Sequence, residues 1–180
     1  MFYIVVGSIT FIAFILLIIV ITYNRFQFSI IKIEEAEANI GIALNKKLEL
    51  IRRSIPVIKD ELKLKEFLEE ANNTNTEELS NFELNNLLSE YSKKLFSTID
   101  DNDKLYKSES LIKILNEYNN NEIDLVGTIK FYNDTVVDYN HLILSFPSNI
   151  IRHIFGYRKM EFYSHEKREV FEILRDEKKN

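Results

Sequence analysis

Residues 111–146 read LIKILNEYNNNEIDLVGTIKFYNDTVVDYNHLILSF. Positions 111, 115, 118, 122, 125, 129, 132, 136, 139, 143 and 146 hold Leu, Leu, Tyr, Glu, Leu, Ile, Tyr, Val, Tyr, Ile and Phe, so that only Glu122 interrupts an apolar series. The ten steps alternate four and three and cover 35 residues, 3.5 on average. That is the seam of a helix packed against other helices along its length, not the period-two alternation of a strand. The stretch therefore predicts a central helix over residues 106–146 and an all-α fold. Asn119, Asn120 and Asn121 are poor helix formers, yet the apolar phase crosses them without a slip.

At the other end of the chain, residues 2–23 contain no charged side chain. A helix of that length rises roughly 33 Å, enough for a hydrocarbon core of about 30 Å, and Tyr3 and Tyr23 stand where rings favour headgroups. A cleaved signal peptide would show a basic start and a small-residue cleavage site, and neither is present. The expectation is a single-pass anchor over residues 1–23 in the cell membrane. Arg25 and Lys32 follow it, against only the α-amino group before it, so the positive-inside rule places the N-terminus outside and the helical domain in the cytoplasm. The absence of cysteine fits either compartment.

Ile33, Ala36, Ile40, Leu44, Leu48, Ile51, Ile55, Ile58 and Leu62 form a second apolar stripe, predicting an amphipathic helix that continues from the anchor to about Ala71. Pro56 lies inside it, where a kink is expected. The polar residues 71–76 read as a turn, with Thr74 and Glu77 at capping-box spacing for a further helix. That helix should bury Leu84, Leu87 or Leu88, Tyr91 and Leu95 and end near Ile99. A loop follows at residues 100–103. Pro147 should stop the central helix, with Ser148 capping a short one over 149–155 that ends on Gly156. The architecture expected is an N-terminal transmembrane helix followed by an antiparallel up-and-down bundle over residues 24–163, three long helices and a short fourth. Residues 164–180 form a charged tail, with a helix expected over 166–178.

The chain carries 23 basic and 28 acidic residues, a net charge of −5, and no basic stripe, which argues against nucleic acid as a partner. His141, His153 and His165 are twelve residues apart, with no Glu-x-x-His, no His-Glu-x-x-His and no cysteine, so no metal site is expected. The four acceptors at 100–103 lack the Gly and distant Glu of a calcium loop. The four glycines form no phosphate-binding loop, and no nucleophile motif occurs. The expectation is a protein without cofactor and without catalytic activity.

Tyr132-Asn133 is repeated seven residues later as Tyr139-Asn140, followed by Phe146-Pro147-Ser148, an apolar segment over 150–155, Gly156-Tyr157 and Phe162-Tyr163. With Tyr23-Asn24, Glu35-Ala36, Lys46-Lys47 and Leu50-Ile51 nearer the anchor, the chain resembles the LemA family. The resemblance covers residues 23–59 and 122–163. It departs from the family where Arg52 replaces a proline, with Pro56 one turn on, and where a Tyr-Pro pair is missing from the second loop. It implies a membrane-anchored helical bundle with no established catalytic activity. Relatives include a magnetosome protein, and some neighbour a membrane zinc protease.

The tyrosines of the repeat fit seam positions. Asn133 and Asn140 flank the seam, where they can fix helix register by hydrogen bonds across helices or form a recognition surface. Residues 155–163, rich in aromatics with Arg158 and Lys159, can cover the end of the bundle or contact headgroups or a partner protein. The functional expectation is a membrane-anchored scaffold that contacts other membrane or membrane-associated proteins. The heptad seam can serve within one chain or between copies as a homo-oligomer. The alternative is an adaptor or regulatory subunit of a membrane protease or envelope-stress pathway.

Overall fold

The computed structural model describes residues 1–163; the helix expected over 166–178 lies outside the described residues. The helices are α1 (Phe2–Leu62), α2 (Glu69–Asn72), α3 (Asn81–Asp100), α4 (Glu109–Leu144) and α5 (Ser148–Phe155), with one turn of 3-10 helix at Leu105–Lys107. No strand occurs among the described residues. The all-helical class and the long apolar N-terminal helix are as the sequence predicts. α1 is a single helix of 61 residues that includes Pro56. Its residues 2–17 are exposed. Every stripe position from Ile33 to Ile58 is buried and Leu62 is half-buried.

The chain forms two compact units, one comprising Ala36–Lys130 and the other Met1–Glu35 with the described residues from Phe131 onward. In the first, α1 runs antiparallel to α4. Asn121 donates to the Ala43 carbonyl (3.0 Å), Lys47 pairs with Glu122 (3.0 Å) and Arg53 with Glu117 (2.8 Å). From the Ala43–Asn121 bond to the Arg53–Glu117 pair, residue numbers thus rise on α1 as they fall on α4. α4 remains continuous through Asn119–Asn121 because Asn121 turns inward and is buried.

α3 does not run the way an up-and-down order requires. Its first residue, Asn81, donates to the Glu37 carbonyl (3.0 Å) and stands against Gly41, where a Cβ would approach Asn81 Oδ1 to 3.1 Å. Ten residues on, the Tyr91 hydroxyl reaches Thr74, whose carbonyl accepts from Arg52. α3 therefore runs in the same direction as the 36–62 part of α1, and residues 63–80 bring the chain back. This return exists because α1 ends at Leu62, not near Ala71. Continuing the helical phase would put Lys65, Glu66 and Glu69 on the apolar face. Instead Lys63 (φ 54°) and Leu68 (φ 47°) take left-handed conformations, and Phe67, Leu68 and Ala71 are buried.

Arg52 donates to the carbonyls of Ala71 (2.8 Å), Asn72 (3.4 Å) and Thr74 (3.0 Å) and so pins the return segment. The capping box of α3 is Ser80 with Glu83, not Thr74 with Glu77. Ser80 Oγ accepts from the Glu83 amide, and the Glu83 carboxylate accepts from the Ser80 amide. Thr74 is engaged elsewhere, its hydroxyl donating to the Glu70 carbonyl (3.0 Å). Of the two leucines the sequence leaves open, Leu88 is the buried one. Ser92 is buried too, while Tyr91 is only half-buried. Ser92 spends its single proton on the Leu88 carbonyl (2.6 Å), so the buried Tyr118 hydroxyl is the donor across their 2.7 Å contact.

Glu122, the one polar interruption of the seam, is explained by Lys47. The lysine side chain is 4% exposed and the glutamate side chain 36%, and the ammonium also lies 5.7 Å from the centre of the Tyr118 ring. The two partners are therefore unequal. Glu122→Ala leaves a buried cation unpaired and should cost on the order of 3 kcal/mol in denaturant unfolding of the detergent-solubilised chain. Lys47→Met leaves a carboxylate that water reaches, and should cost less than half as much. Equal losses would refute this account of the seam's interruption.

In the second unit, the 2–35 part of α1, the 131–144 part of α4 and α5 surround a cluster of Phe26, Ile33, Val136, Tyr139, Leu142, Ile143 and Ile151. Phe26 is fully buried. It sits seven residues before Ile33 and continues the same stripe. The seam on α4 ends at Ile143, not at Phe146, which is 80% exposed. Pro147 disfavours α geometry at the residue before it, and α4 stops at Leu144. Ser148 does not cap α5. Pro147 occupies the cap position, while Ser148 is the first helical residue and is buried. Gly156 takes φ 74°, the left-handed conformation expected of a helix-ending glycine.

Candidate interaction site

The residues singled out in the sequence all fall within this second unit. Tyr139 is buried, its ring edge-on to Phe26 at 6.1 Å. Burial holds its hydroxyl above the ordinary tyrosine pKa, with a smaller contribution from Tyr157. Pro147 accepts from the Ile150 amide (3.0 Å) at the start of α5. Gly156 turns the chain out of α5, and the Tyr157 amide donates back to the Arg152 carbonyl (3.0 Å). Beyond that turn, residues 157–163 lie in no helix and pass along α4.

Asn133 and Asn140 hold this passing segment. Asn140 Nδ2 donates to the Met160 carbonyl (2.9 Å), and its Oδ1 accepts from the Met160 amide (3.0 Å). Asn133 Oδ1 accepts from the Tyr163 amide (2.8 Å). Tyr132 adds a bond to the Glu161 carbonyl (3.3 Å) and an edge contact with the Tyr163 ring. The spacing has a physical reason. Seven helical residues rise about 10.5 Å, and three residues of extended chain cover about 10 Å. Asparagines seven apart thus meet main-chain groups three apart. The bonds expected across helices go instead to the backbone of a non-helical segment.

The aromatic side chains of the segment close over the cluster. Tyr157 stacks on Phe26 at 4.4 Å and accepts from Gln27 Nε2 (2.8 Å), and Met160 and Phe162 pack against the same core. Phe26 and Gln27 were not picked out from the sequence, although extending the α1 stripe backward by seven residues reaches Phe26. Burial raises the Tyr163 hydroxyl to about pKa 12. Phe146 stands apart from all of these contacts, exposed at the α4–α5 corner.

Two open depressions flank these residues. One, of about 400 Å³, is lined by Arg25, Phe28, Ser29, Asp138, His141, Leu142 and Ser145. The other, of about 390 Å³, is lined by Arg152, His153, Gly156, Tyr157, Arg158 and Lys159. Among the described residues no three His, Asp or Glu side chains converge as a metal-binding group would require. The arrangement is one of mutual support between helix and segment, with its polar groups spent on main-chain atoms.

The model of the LemA family matches residues 36–173, about three-quarters of the chain. The chain belongs to the LemA family. The matched range includes residues 60–121, to which the motif resemblance does not extend. No curated protein and no solved structure matches.

Two expectations follow from the ladder. Asn140→Ala removes both bonds to Met160, and Asn140→Asp sets a carboxylate against the Met160 carbonyl. Both should speed tryptic cleavage after Arg158 and Lys159, Asn140→Ala by about thirtyfold, its two lost bonds being worth roughly 1 kcal/mol each. Because the folded pKa of Tyr163 lies above the ordinary value of 10, its contribution to docking is complete below pH 10 and is lost as pH rises towards about 12. Ultraviolet titration should show a late-ionising tyrosine that disappears in Tyr163→Phe.

Proposed function

We propose that this LemA family member is a single-pass membrane scaffold, anchored by residues 2–23, whose helical domain offers surfaces to other proteins and has no catalytic activity of its own. The observation that carries the reading is the course of α1. Its start is long and apolar enough to cross a membrane, with a mean hydropathy of 3.2 over an 18-residue window that is unburied, and the same uninterrupted helix then supplies core residues from Phe26 to Ile58. Exposed apolar side chains on such a run are costly in water and stabilised in lipid. The cationic residues that follow favour a cytoplasmic domain.

Support for contact with other proteins comes from the Ala36–Lys130 unit. Ile42, Ile123 and Val126 are each about two-thirds exposed. The bond from Asn121 to Ala43 sets Ile42 and Ile123 at neighbouring levels of adjacent helices. Isolated exposed apolar residues need no explanation, but a neighbouring set on two helices is the composition of a contact surface.

The full chain should sediment with membranes and resist alkaline extraction, and a photocrosslinker at Ile123 should give a discrete adduct that Val126→Glu abolishes. Recovery in the soluble fraction would remove the anchor from this reading, and substrate turnover by the purified chain would remove the scaffold.

A further inference from the structure

Resting on the anchored reading, we infer that α5 and the corner before it lie in the bilayer surface, with Phe146, Ile150 and Ile154 among the upper acyl chains and Arg152, Arg158 and Lys159 against anionic headgroups. Three observations converge on this. The first is depth. Ile18 and Ile19, inside the apolar run, pack against the same cluster that holds Ile151 of α5, and Thr22 is buried. The Tyr23 ring lies 5.1 Å from that of Phe155. From Ile18 to the end of the run at Tyr23 is a rise of about 7.5 Å, within the roughly 5–10 Å to which interfacial helices sink.

The second observation is the face that α5 leaves uncovered. Ser148 and Ile151 are buried, whereas Ile150, Ile154 and Phe155 are about half exposed or more. Leu144 and Phe146 extend this apolar surface across the corner. At about 100° per residue, Ile150 and Ile154 lie roughly 40° apart and Arg152 lies on the opposite side. One helix thus has a face for the protein core, a face for hydrocarbon and a cationic edge.

The third is charge. Residues 139–160 contain Arg152, Arg158 and Lys159 and no Asp or Glu, in a chain whose net charge is −5. These three, with His153, line one open depression of about 390 Å³. Arg152 Nε is buried there without a hydrogen-bond partner in the protein. A phosphate-bearing headgroup matches that depression in charge, and basic side chains beside an anionic leaflet are attracted to it.

The test uses the full chain in vesicles. Because the protein has no cysteine, single cysteines at Ile12, Ile154 and Asn86 can each carry an environment-sensitive fluorophore, quenched by spin-labelled lipids at known depths. Quenching at Ile154 should exceed that at Asn86 by about twofold or more, with the shallow quencher most effective, as for an interfacial helix. It should deepen when phosphatidylserine is added to phosphatidylcholine. Arg152→Gln with Arg158→Gln and Lys159→Gln should remove that dependence. Quenching at Ile12 but not at Ile154 would overturn the inference while leaving the anchor standing. No quenching at Ile12 would overturn both. A blue shift at Ile154 that grows with protein density without quenching would show a second copy covering the face, and would also overturn it.

Discussion

Helices that share an apolar seam can slide by one repeat and still bury hydrocarbon against hydrocarbon; a buried charge cannot slide. Lys47 and Glu122 therefore do more for the α1–α4 pairing than the apolar residues on either side. A slip of one heptad would carry Glu122 about 10.5 Å along the axis and strand the lysine in a low-dielectric core. Asn121, next to Glu122 in sequence and bonded to the Ala43 carbonyl, repeats the constraint without charge. Once α1 and α4 are in register, Tyr118 is fixed opposite Ser92, and α3 is fixed with it.

The part of the fold legible in the sequence is the part governed by helical periodicity. Spacing alone assigns each stripe position of α1 from Ile33 to Ile58 to the buried face, and each is buried. Gly156 ended α5 for the reason its lack of a Cβ suggests. What periodicity misled on is direction. A stripe says which face is covered and nothing about which way the next helix runs. The return of the chain over residues 63–80 depends on Lys63 and Leu68 adopting left-handed backbone, for which neither residue type is a signal. Phe146 had the right spacing and the wrong neighbour, since Pro147 ended the helix before the seam could use it.

The candidate site was legible as a set of residues and illegible as a set of partners. Tyr-Asn twice at seven residues marks one helix face, but a side-chain amide bonds to another helix and to a main chain with the same groups. The choice was made by residues 157–163, which lie in no helix, so that main-chain groups of Met160 and Tyr163 are open to side-chain partners. Polar groups of that kind must be satisfied where they are buried, and two asparagines supply what a neighbouring strand would.

That arrangement has a consequence for what the segment can be made of. Asn133 and Asn140 grip the main chain at Tyr163 and Met160, using its amide hydrogens. Such a grip is blind to side-chain identity, so substitution at the exposed Glu161 leaves it intact, while Met160 and Phe162 stay constrained by their packing on the core. Proline is barred from positions 160 and 163, because an imino nitrogen has no hydrogen to give.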